Sequence, residues 1–436
     1  MFEQTSRQLL DFIQRSPSCF HAVANFQSLL EEAGFTPLYE GRPWELKPGA
    51  GYYLTRNGSS IIAFRVPEGE ASGFMIASAH SDAPTFKVKA VPEVAGEHYV
   101  QLNTEVYGGA ILGAWLDRPL SVAGRVTVSK DGRVFTKLVN LDQDLLLIPN
   151  LAIHMNREVN KGVALNPQVD TLPLMGQGDT AGKFSQLVAQ AAGEAEEDIL
   201  GGDLFLYLRE EGRVWGAGRQ FISSPKLDDL QCAWSCVRGL IDCGSTQHTI
   251  PVCAIFDNEE VGSATKQGAD SNLLDFTLSR ISALLGRTPE EHQMALASSM
   301  MVSADNGHAI HPNHPDKADK TNHPHMNGGV VIKYSANQKY TTDSVSAGLF
   351  QVICKGAGVP VQVYANRSDV PGGSTLGNLS NKHVSLNTVD LGLAQLAMHS
   401  PYETGGVEDT SHLLRALAAF YRTQLADNGP DGYTVI

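Results

Sequence analysis

The sequence predicts an α/β protein with a central mixed sheet flanked by helices and a mostly β insertion. After residue 224 the chain alternates helix-like stretches, such as LDDLQCAWSCVRGLI, with apolar strands such as TIPVCAIFD, GVVIKYS and VPVQVYA. This alternation is typical of a sheet covered by helices. Short β-rich runs occupy residues 52–89, and residues 91–224 contain stretches with the period-two pattern of half-buried strands.

The chain opens with a segment that has helical spacing. Ser16 followed by Pro17 has the pattern of an N-cap and a first helical residue, and Gly34 ends the run. The apolar residues between them recur at helical spacing: Phe20, Val23, Ala24 and Leu30. We expect this segment to pack on the core.

The insertion is predicted from strand patterns that differ from those around it. YVQLNTEVY alternates apolar and polar residues, and RVTVS and RVFTKLV flank Asp131-Gly132, a strong hairpin signal. A helix is expected near residues 183–192. We therefore expect residues 1–90 and 225–436 to form the main domain and residues 91–224 to form the inserted one.

Composition and charge exclude several classes of protein. The 436 residues include 33 Lys and Arg against 47 Asp and Glu, a formal charge of -14, so nucleic acid is not an expected partner. No apolar run approaches the roughly 18 residues that cross a bilayer, and charges interrupt the N-terminal MFEQTSRQLLDFIQRS. We expect a cytoplasmic protein without a membrane partner. The six cysteines are too sparse for a disulfide scaffold and are expected to be reduced.

Candidate functional residues lie where predicted strands end, which is where open α/β sheets bind ligands. Five places carry residue types used in hydrolysis: SAHSD at 78–82, SPKLDDL at 224–230, DNEEVGS at 257–263, SADNGH at 303–308 and QLAMHSP at 395–401. Each alone is a weak signal, because isolated charged residues are mostly solvated. Together they supply histidines and carboxylates, the ligand mix that a pair of zinc ions needs.

The adjacent glutamates of DNEEVGS fit two different tasks in such a site. Successive side chains of a strand point to opposite faces, so a regular strand could not aim both carboxylates at one spot. A two-metal centre needs a bridging carboxylate and, on each metal, an acid and a histidine. One further carboxylate must stay free to take a proton from water. The alternative is a solvated pair of acids at a turn.

The order His-x-Asp, Asp, Glu-Glu, Asp, His resembles that of the co-catalytic zinc exopeptidases. The surrounding words closely resemble the aspartyl aminopeptidase family, almost from end to end of the chain. They are RNGSSIIAF at 56–64, SAHSDAPTFKVK at 78–89, YGGAILGAWLDRPLSVAGRV at 107–126, IPNLAIHMN at 148–156, SPKLDDL, DNEEVGS, SADNGHAIHPNHPDK, VVIKYSANQKY, GGSTLG and VDLGLAQLAMHS. The resemblance implies a zinc exopeptidase fold with aminopeptidase activity, and oligomerisation through residues 91–224.

The resemblance also implies a ligand set for two Zn²⁺ ions, one of them exchangeable with Mn²⁺ or Co²⁺. Carried over position by position, it assigns His80, Asp228 and Asp305 to one metal and Asp228, Glu260 and His399 to the other. Glu259 would be the general base and acid. Asp82, two residues beyond His80 and so on the same side of an extended chain, would orient the imidazole. The alternative for Asp82 is a turn cap.

Substrate preference is expected to depend on a cation in the pocket. The family removes N-terminal Asp or Glu from peptides, and a substrate carboxylate should not be desolvated unpaired. The resemblance gives this role to Lys333, whose alternative is a strand end in water. The same chemistry with a neutral or broad preference is the alternative function. GGSTLG at 372–377 lacks the ending of a phosphate-binding loop and is expected to form a backbone-lined wall of the pocket.

Two further sets of histidines are noted. The resemblance implies that His154, in the insertion, reaches the active site of a neighbouring subunit, close to substrate or metal. The stretch HAIHPNHPDKADKTNHPH at 308–325 has either the pattern of an extra metal tract or that of a loop. Its prolines and irregular spacing favour the loop, with His308 nearest the site.

Assembly is the last implication of the resemblance, which points to a tetrahedral dodecamer built from dimers. An alternative from a different functional class is a non-catalytic protein that assembles into a particle, which the large insertion suggests. The complete ligand set argues against a scaffold, which would not need it. The chain departs from the family at Asn306-Gly307, where Met-Ala is more frequent, and at Asp229, where Asn is common. Neither departure changes a ligand type, but both bear on fine specificity.

Overall fold

The computed structural model describes residues 2–436. Within that range the α-helices are α1 (Phe2–Gln14), α2 (Cys19–Glu32), α3 (Pro167–Asp170), α4 (Lys183–Ala192), α5 (Leu227–Asp242), α6 (Leu273–Leu284), α7 (Pro289–Ala297), α8 (Ser344–Gly356), α9 (Leu376–Ser380) and α10 (Asp409–Arg422). None of the helices in this range is long and apolar enough to span a bilayer.

The strands of the described chain are numbered in the same way. The first eleven are β1 (Thr36–Pro37), β2 (Gly51–Arg56), β3 (Ser60–Arg65), β4 (Gly73–His80), β5 (Thr85–Ala95), β6 (Tyr99–Tyr107), β7 (Leu120–Lys130), β8 (Arg133–Asn140), β9 (Leu174–Gln177), β10 (Ile199–Leu208) and β11 (Arg213–Trp215). The rest are β12 (Phe221–Ser224), β13 (Thr249–Phe256), β14 (Met300–Ala304), β15 (Gly307–His308), β16 (Val330–Tyr334), β17 (Val361–Ala365), β18 (Asn387–Gly392), β19 (Ala394–Leu396), β20 (Glu403–Gly406), β21 (Leu425–Asp427) and β22 (Tyr433–Val435).

The main sheet is mixed and has the order β1-β2-β3-β13-β4-β14-β18-β16-β17. Its centre consists of β13, β4, β14 and β18, which run parallel to one another, while β3 and β16 pair antiparallel on either side of them. The four parallel strands end at the same edge of the sheet, so the residues that follow them converge there.

Helices cover both faces of this sheet because its strands bury alternate residues on opposite sides. On β4, Met75, Ala77 and Ala79 pack in one core with residues of α1, α2, α5, α8 and α10. The intervening Phe74 and Ile76 pack in a second core with residues of α6, α7 and α9. The predicted α/β class, a central mixed sheet flanked by helices, is thus confirmed.

A separate antiparallel sheet has the order β8-β7-β10-β5-β6-β9. The predicted turn joins β7 and β8 in register from Lys130 and Arg133, with positive φ angles at Asp131 and Gly132. This is the two-residue turn geometry that matches strand twist. The expected helix is α4, which packs its apolar side on this sheet. The first strand of this sheet along the chain is β5, which starts at Thr85, before residue 90. The strand that ends at residue 224, β12, pairs with β20 in a different sheet. The division at residues 90 and 224 therefore stays a prediction.

One prediction about the opening segment is wrong. Ser16 does not cap a helix, because its hydroxyl donates to the carbonyl of Phe12 at 2.8 Å and so closes the end of α1. The cap of α2 is Ser18, whose hydroxyl accepts from the backbone N–H of His21. The expected apolar residues of α2 do reach the core, where Phe20, Val23 and Leu30 are buried.

Candidate active site

Six carboxylate and imidazole side chains meet at the edge where the central parallel strands end. β4 ends in a histidine, β14 is followed directly by an aspartate, and one short 3₁₀ turn after β13 carries both adjacent glutamates. The first turn of α5 and the loop between β19 and β20 supply the other two residues. In chain order these residues are His80, Asp228, Glu259, Glu260, Asp305 and His399.

Asp228 lies at the centre of this group, with one carboxylate oxygen towards each histidine. His80 Nε2 is 3.5 Å from Asp228 Oδ1, and His399 Nε2 is 3.4 Å from Asp228 Oδ2. His399 Nε2 is also 3.4 Å from Glu260 Oε2. Ligand atoms about 2.0–2.1 Å from a tetrahedral zinc ion are roughly 3.3–3.4 Å apart. The spacing is therefore that of atoms sharing a metal.

The potential ligand atoms form groups in which they all lie within 4.8 Å of one another. One group is His80, Asp228 and Asp305, and another is Asp228, Glu260 and His399. Buried Asp228 Oδ1 and Glu260 Oε1 have no hydrogen-bond partner. Buried carboxylate oxygens without a partner are costly, and a bound cation satisfies them. The donor set and its unsatisfied oxygens therefore fit zinc.

Burial raises the pKa of most acids in this group. Burial raises the pKa of Glu260 well above its usual range and that of Glu259 to about 8, and neighbouring carboxylates contribute to both shifts. Asp228 differs: burial favours its neutral form, but His399 and His80 outweigh burial and hold the pKa of Asp228 well below its usual range. The pKa of His80 is raised because Asp228 and Asp82 outweigh the effect of its burial.

Asp82 contacts both the first histidine and the turn that carries the glutamates. Its Oδ1 lies 3.3 Å from His80 Nδ1 and accepts the backbone N–H of Glu259 at 3.1 Å. Its Oδ2 accepts the N–H of Glu260 at 3.2 Å and the hydroxyl of Tyr107 at 2.7 Å. Asp82 therefore links the imidazole of His80 to the point at which the two glutamates leave the strand.

Glu403 is a buried residue of the site that the sequence analysis missed. Its carboxylate accepts the backbone N–H of Asp228 at 2.9 Å and that of His399 at 2.8 Å. Burial raises the pKa of Glu403 to about 8, with the charge of Asp228 adding to the effect. Glu403 stands alone in PYETGG, so no motif indicates it; its only sequence signal is its position four residues after His399.

Glycine at position 109 is a second residue that the sequence analysis did not single out. The His399 Nδ1 atom is hydrogen-bonded to the carbonyl oxygen of Gly109 at 3.1 Å, which leaves Nε2 free to face Asp228 and Glu260. A Cβ at Gly109 would lie 3.2 Å from that same nitrogen. The close approach of the backbone to the ring therefore favours glycine here.

A cavity of about 470 Å³ opens from the carboxylates and histidines. Its far side is lined by His308, Lys333, Tyr340, Tyr364 and the segment 373–375. Lys333 is not an exposed residue at a strand end, because its side chain is buried and its Nζ donates to the Asn306 carbonyl at 3.0 Å. Nζ is also 3.5 Å from Asp305 Oδ2. Burial lowers the pKa of Lys333, but Asp305 together with Tyr340 and Asp390 outweighs burial and raises it.

The other histidines lie away from this cavity within the chain. His154 is exposed, in a turn-rich segment, and does not line the cavity. His311, His314 and His323 line a separate depression beside His308. Among residues 2–436, none of the three belongs to a group of three ligand atoms within 4.8 Å. The stretch is the irregular loop that its prolines predict.

Comparison with known proteins places this chain in a known class. The model of the family described as aminopeptidase I zinc metalloprotease (M18) matches residues 12–421. A probable M18 family aminopeptidase 2 of Clostridium novyi is 46% identical over 95% of this chain and 98% of its own. The Stutzerimonas stutzeri protein of the same name is 40% identical, over 97% and 99%.

Solved structures agree with the sequence relatives. The mApe1 structure from Chaetomium thermophilum has a TM-score of 0.87 and 30% identity, covering 97% of this chain and 98% of that one. The S. cerevisiae mApe1 dodecamer has a TM-score of 0.86 and 27% identity, covering 96% and 97%. Fold and relatives define a zinc metallo-aminopeptidase. The chain belongs to the M18 family of aminopeptidases.

Proposed function

We propose that this aminopeptidase works with two zinc ions that share Asp228. The supporting observation is the pair of ligand groups, His80–Asp228–Asp305 and Asp228–Glu260–His399, which have that one residue in common. Imidazole and carboxylate both suit zinc, and one of the two sites is proposed to accept Mn²⁺ or Co²⁺ as well. Counting zinc by elemental analysis of the purified protein tests this, with two ions per chain expected and one ion or none contradicting it.

Glu259 is proposed as the general base and acid. Zinc bound by these ligands would supply Lewis acidity, lowering the pKa of a water molecule and polarising the peptide carbonyl. Glu259 belongs to neither group that shares Asp228, although it lies within 4.8 Å of ligand atoms of His80 and Glu260. Its carboxylate is thus free to take a proton from the attacking water and pass it to the leaving amine.

The preference proposed for this site is an N-terminal Asp or Glu. Lys333 is a buried cation in the cavity wall, and an ammonium group has three donors. Asn306 and Asp305 engage two of them, which leaves one for a substrate carboxylate. A carboxylate entering this cavity would otherwise meet Asp305 and Glu259 without compensation. The neutral or broad preference remains the second candidate, because Asp305 already neutralises part of the lysine's charge.

Rates on matched substrates separate the two preferences. The N-terminal residue of otherwise identical amides is varied among Asp, Glu, Leu and Ala, and kcat/KM is measured for each. We expect kcat/KM for the Asp and Glu amides to exceed that for the Leu amide. Lys333→Met should lower kcat/KM for the two acidic amides by about 10–100-fold more than for the Ala amide. Leucine outpacing both acids in the wild type would rule out the acidic assignment while leaving the aminopeptidase activity in place.

Self-association is proposed as well, with residues 91–224 as the inserted oligomerisation domain and residues 1–90 and 225–436 as the catalytic one. Around His154 the chain exposes Leu151, Ile153 and Met155, which are 56, 48 and 75% exposed. Neighbouring exposed apolar side chains are typical of a contact surface. The solved S. cerevisiae relative is a dodecamer, and we propose the same state here, with His154 reaching a neighbouring active site. Mass measurement in solution tests this, and a monomer at working concentration would contradict it.

A further inference from the structure

A buried aspartate lies directly behind the proposed substrate cavity without lining it. Asp390 is fully buried on β18, in the middle of the main sheet. It pairs in register with Ser303 of β14, two residues before Asp305. A carboxylate in the centre of a sheet is costly unless donors satisfy it.

The donors to Asp390 come from two separate loops. Its Oδ1 accepts the hydroxyl of Thr375 at 2.6 Å. Its Oδ2 accepts both the N–H of Thr341 at 2.5 Å and the hydroxyl of Thr341 at 2.6 Å. Its backbone N–H donates to the hydroxyl of Thr342 at 2.9 Å. One carboxylate therefore joins the loop after β16 to the loop before α9.

Both loops contribute to the cavity wall. Thr375 and the two residues before it line the cavity. Tyr340, next to Thr341, lines it as well, and its ring centroid lies 5.4 Å from Lys333 Nζ. Asp390 thus ties the 373–375 segment to the loop that carries the Tyr340 ring.

Close packing stops one wall from moving inward. A Cβ on Gly377, at the start of α9, would lie 2.7 Å from Ser303 Cβ and 3.0 Å from Asp390 Oδ1. The helix is therefore already in full contact with the sheet, and only outward movement is open to it. The hydrogen bond from Thr375 opposes that movement, together with the burial of Leu376 in the core.

We propose that Asp390 is a positioning residue that sets which N-terminal side chains this enzyme selects, by tying the Thr341 and Thr375 loops at a fixed separation. The proposal rests on the proposed function in one respect, that the cavity receives the side chain of the substrate's first residue. Long side chains, which reach the walls, depend on this separation. Alanine, which does not reach them, depends on it much less.

The test measures kcat/KM of the full-length, zinc-loaded enzyme on amides that begin with Glu, Leu or Ala. Asp390→Leu should lower the Glu-to-Ala ratio about tenfold, mainly through KM. Asp390→Asn is the matched control, because its amide can still accept from Thr341 and bond the Thr375 hydroxyl, and its ratio should stay within about twofold of wild type. The ratio is independent of how much of each preparation is folded.

Thr375→Val and Thr341→Val provide a second route if Asp390→Leu does not fold, with Thr375→Ser and Thr341→Ser as controls. Each valine variant releases one wall and should lower the same ratio severalfold, while each serine variant keeps it. Equal losses for Glu and Ala in these variants, or an unchanged ratio, would overturn the proposal. If the wild type prefers leucine, the acidic assignment fails separately, and the Leu-to-Ala ratio decides the role of Asp390.

Discussion

The molecule contains two kinds of buried aspartate and glutamate, and the difference lies in who satisfies them. Asp390 and Asp409 are fully buried, and each has its oxygens occupied by the chain itself. Asp409 accepts the backbone N–H groups of Asn327 at 2.6 Å and Gly329 at 2.9 Å. Asp228 and Glu260, at the edge of the same sheet, each keep an oxygen without a hydrogen-bond partner.

This difference separates acids that hold the chain from acids that await a ligand. Burial raises the pKa of Asp409 only to about 6, because the backbone donors of Asn327 and Gly329 offset it. Burial and neighbouring carboxylates raise the pKa of Glu260 well beyond its usual range, and the charge of His80 offsets this only in part. A fold accepts such incomplete acids where a cation completes them.

The largest difference is expected when one acid of each kind is neutralised. Asp228→Asn should reduce kcat/KM by roughly 10⁴ or more, because both proposed ligand groups lose their shared carboxylate. Asp409→Asn, equally conservative and equally buried, should keep its zinc. Activity and zinc content of the two variants decide the matter, and zinc retained by Asp228→Asn would contradict the bridging role.

Glu259 and Glu260 should differ in their effects, because Glu259 is the proposed base and Glu260 a proposed metal ligand. Glu259→Gln is expected to lower kcat by about 10²–10⁴, the usual contribution of a general base, while zinc content stays unchanged. Glu260→Gln should lower both. Parallel kinetics and elemental analysis provide the measurement. A Glu259→Gln enzyme as active as wild type would remove the proposed proton carrier.

Stability should respond in opposite directions in the two groups. Asp409→Asn is expected to lower the free energy of unfolding by about 1–3 kcal/mol, since an amide cannot accept from both backbone donors equally well. Glu260→Gln in metal-free protein should instead maintain or raise it, because a neutral amide avoids the free energy that the raised pKa of Glu260 costs at neutral pH. Urea unfolding of metal-free samples tests this, and a large loss for Glu260→Gln would be the contrary result.

A pH dependence of the metal-free fold is also expected. Burial raises the pKa of Glu259 and Glu403 from 4.5 to about 8. The folded chain then binds protons that the unfolded chain has released between these values, so stability is greatest below that window and falls as pH rises through it. Calorimetry should give a lower Tm at pH 8.5 than at pH 6, and zinc should reduce the difference. A Tm that rises over this range would be inconsistent with neutral buried acids.

The parts of the site that could be predicted from the sequence lie in short continuous motifs. His80 with Asp82, and Glu259 with Glu260, are close along the chain, and the strands before them are strongly apolar. The structure brings these motifs together at one edge of the main sheet. Parallel strands made that convergence predictable.

The parts that escaped prediction depend on contacts between distant segments. Glu403 and Asp390 act through partners that are remote in sequence, such as Asp228 and Thr341, so no local pattern indicates them. The start of α2 was misplaced for a similar reason, because the Ser16 hydroxyl is used by the preceding helix. Local capping rules do not include such competition.

The carboxylate of Glu403 has a consequence for how the enzyme acquires its metal. It holds the backbone of Asp228 and that of His399 at once, so two proposed ligands from distant parts of the chain are positioned by one side chain. Binding of the proposed zinc ions would then need little rearrangement of the backbone at these two positions.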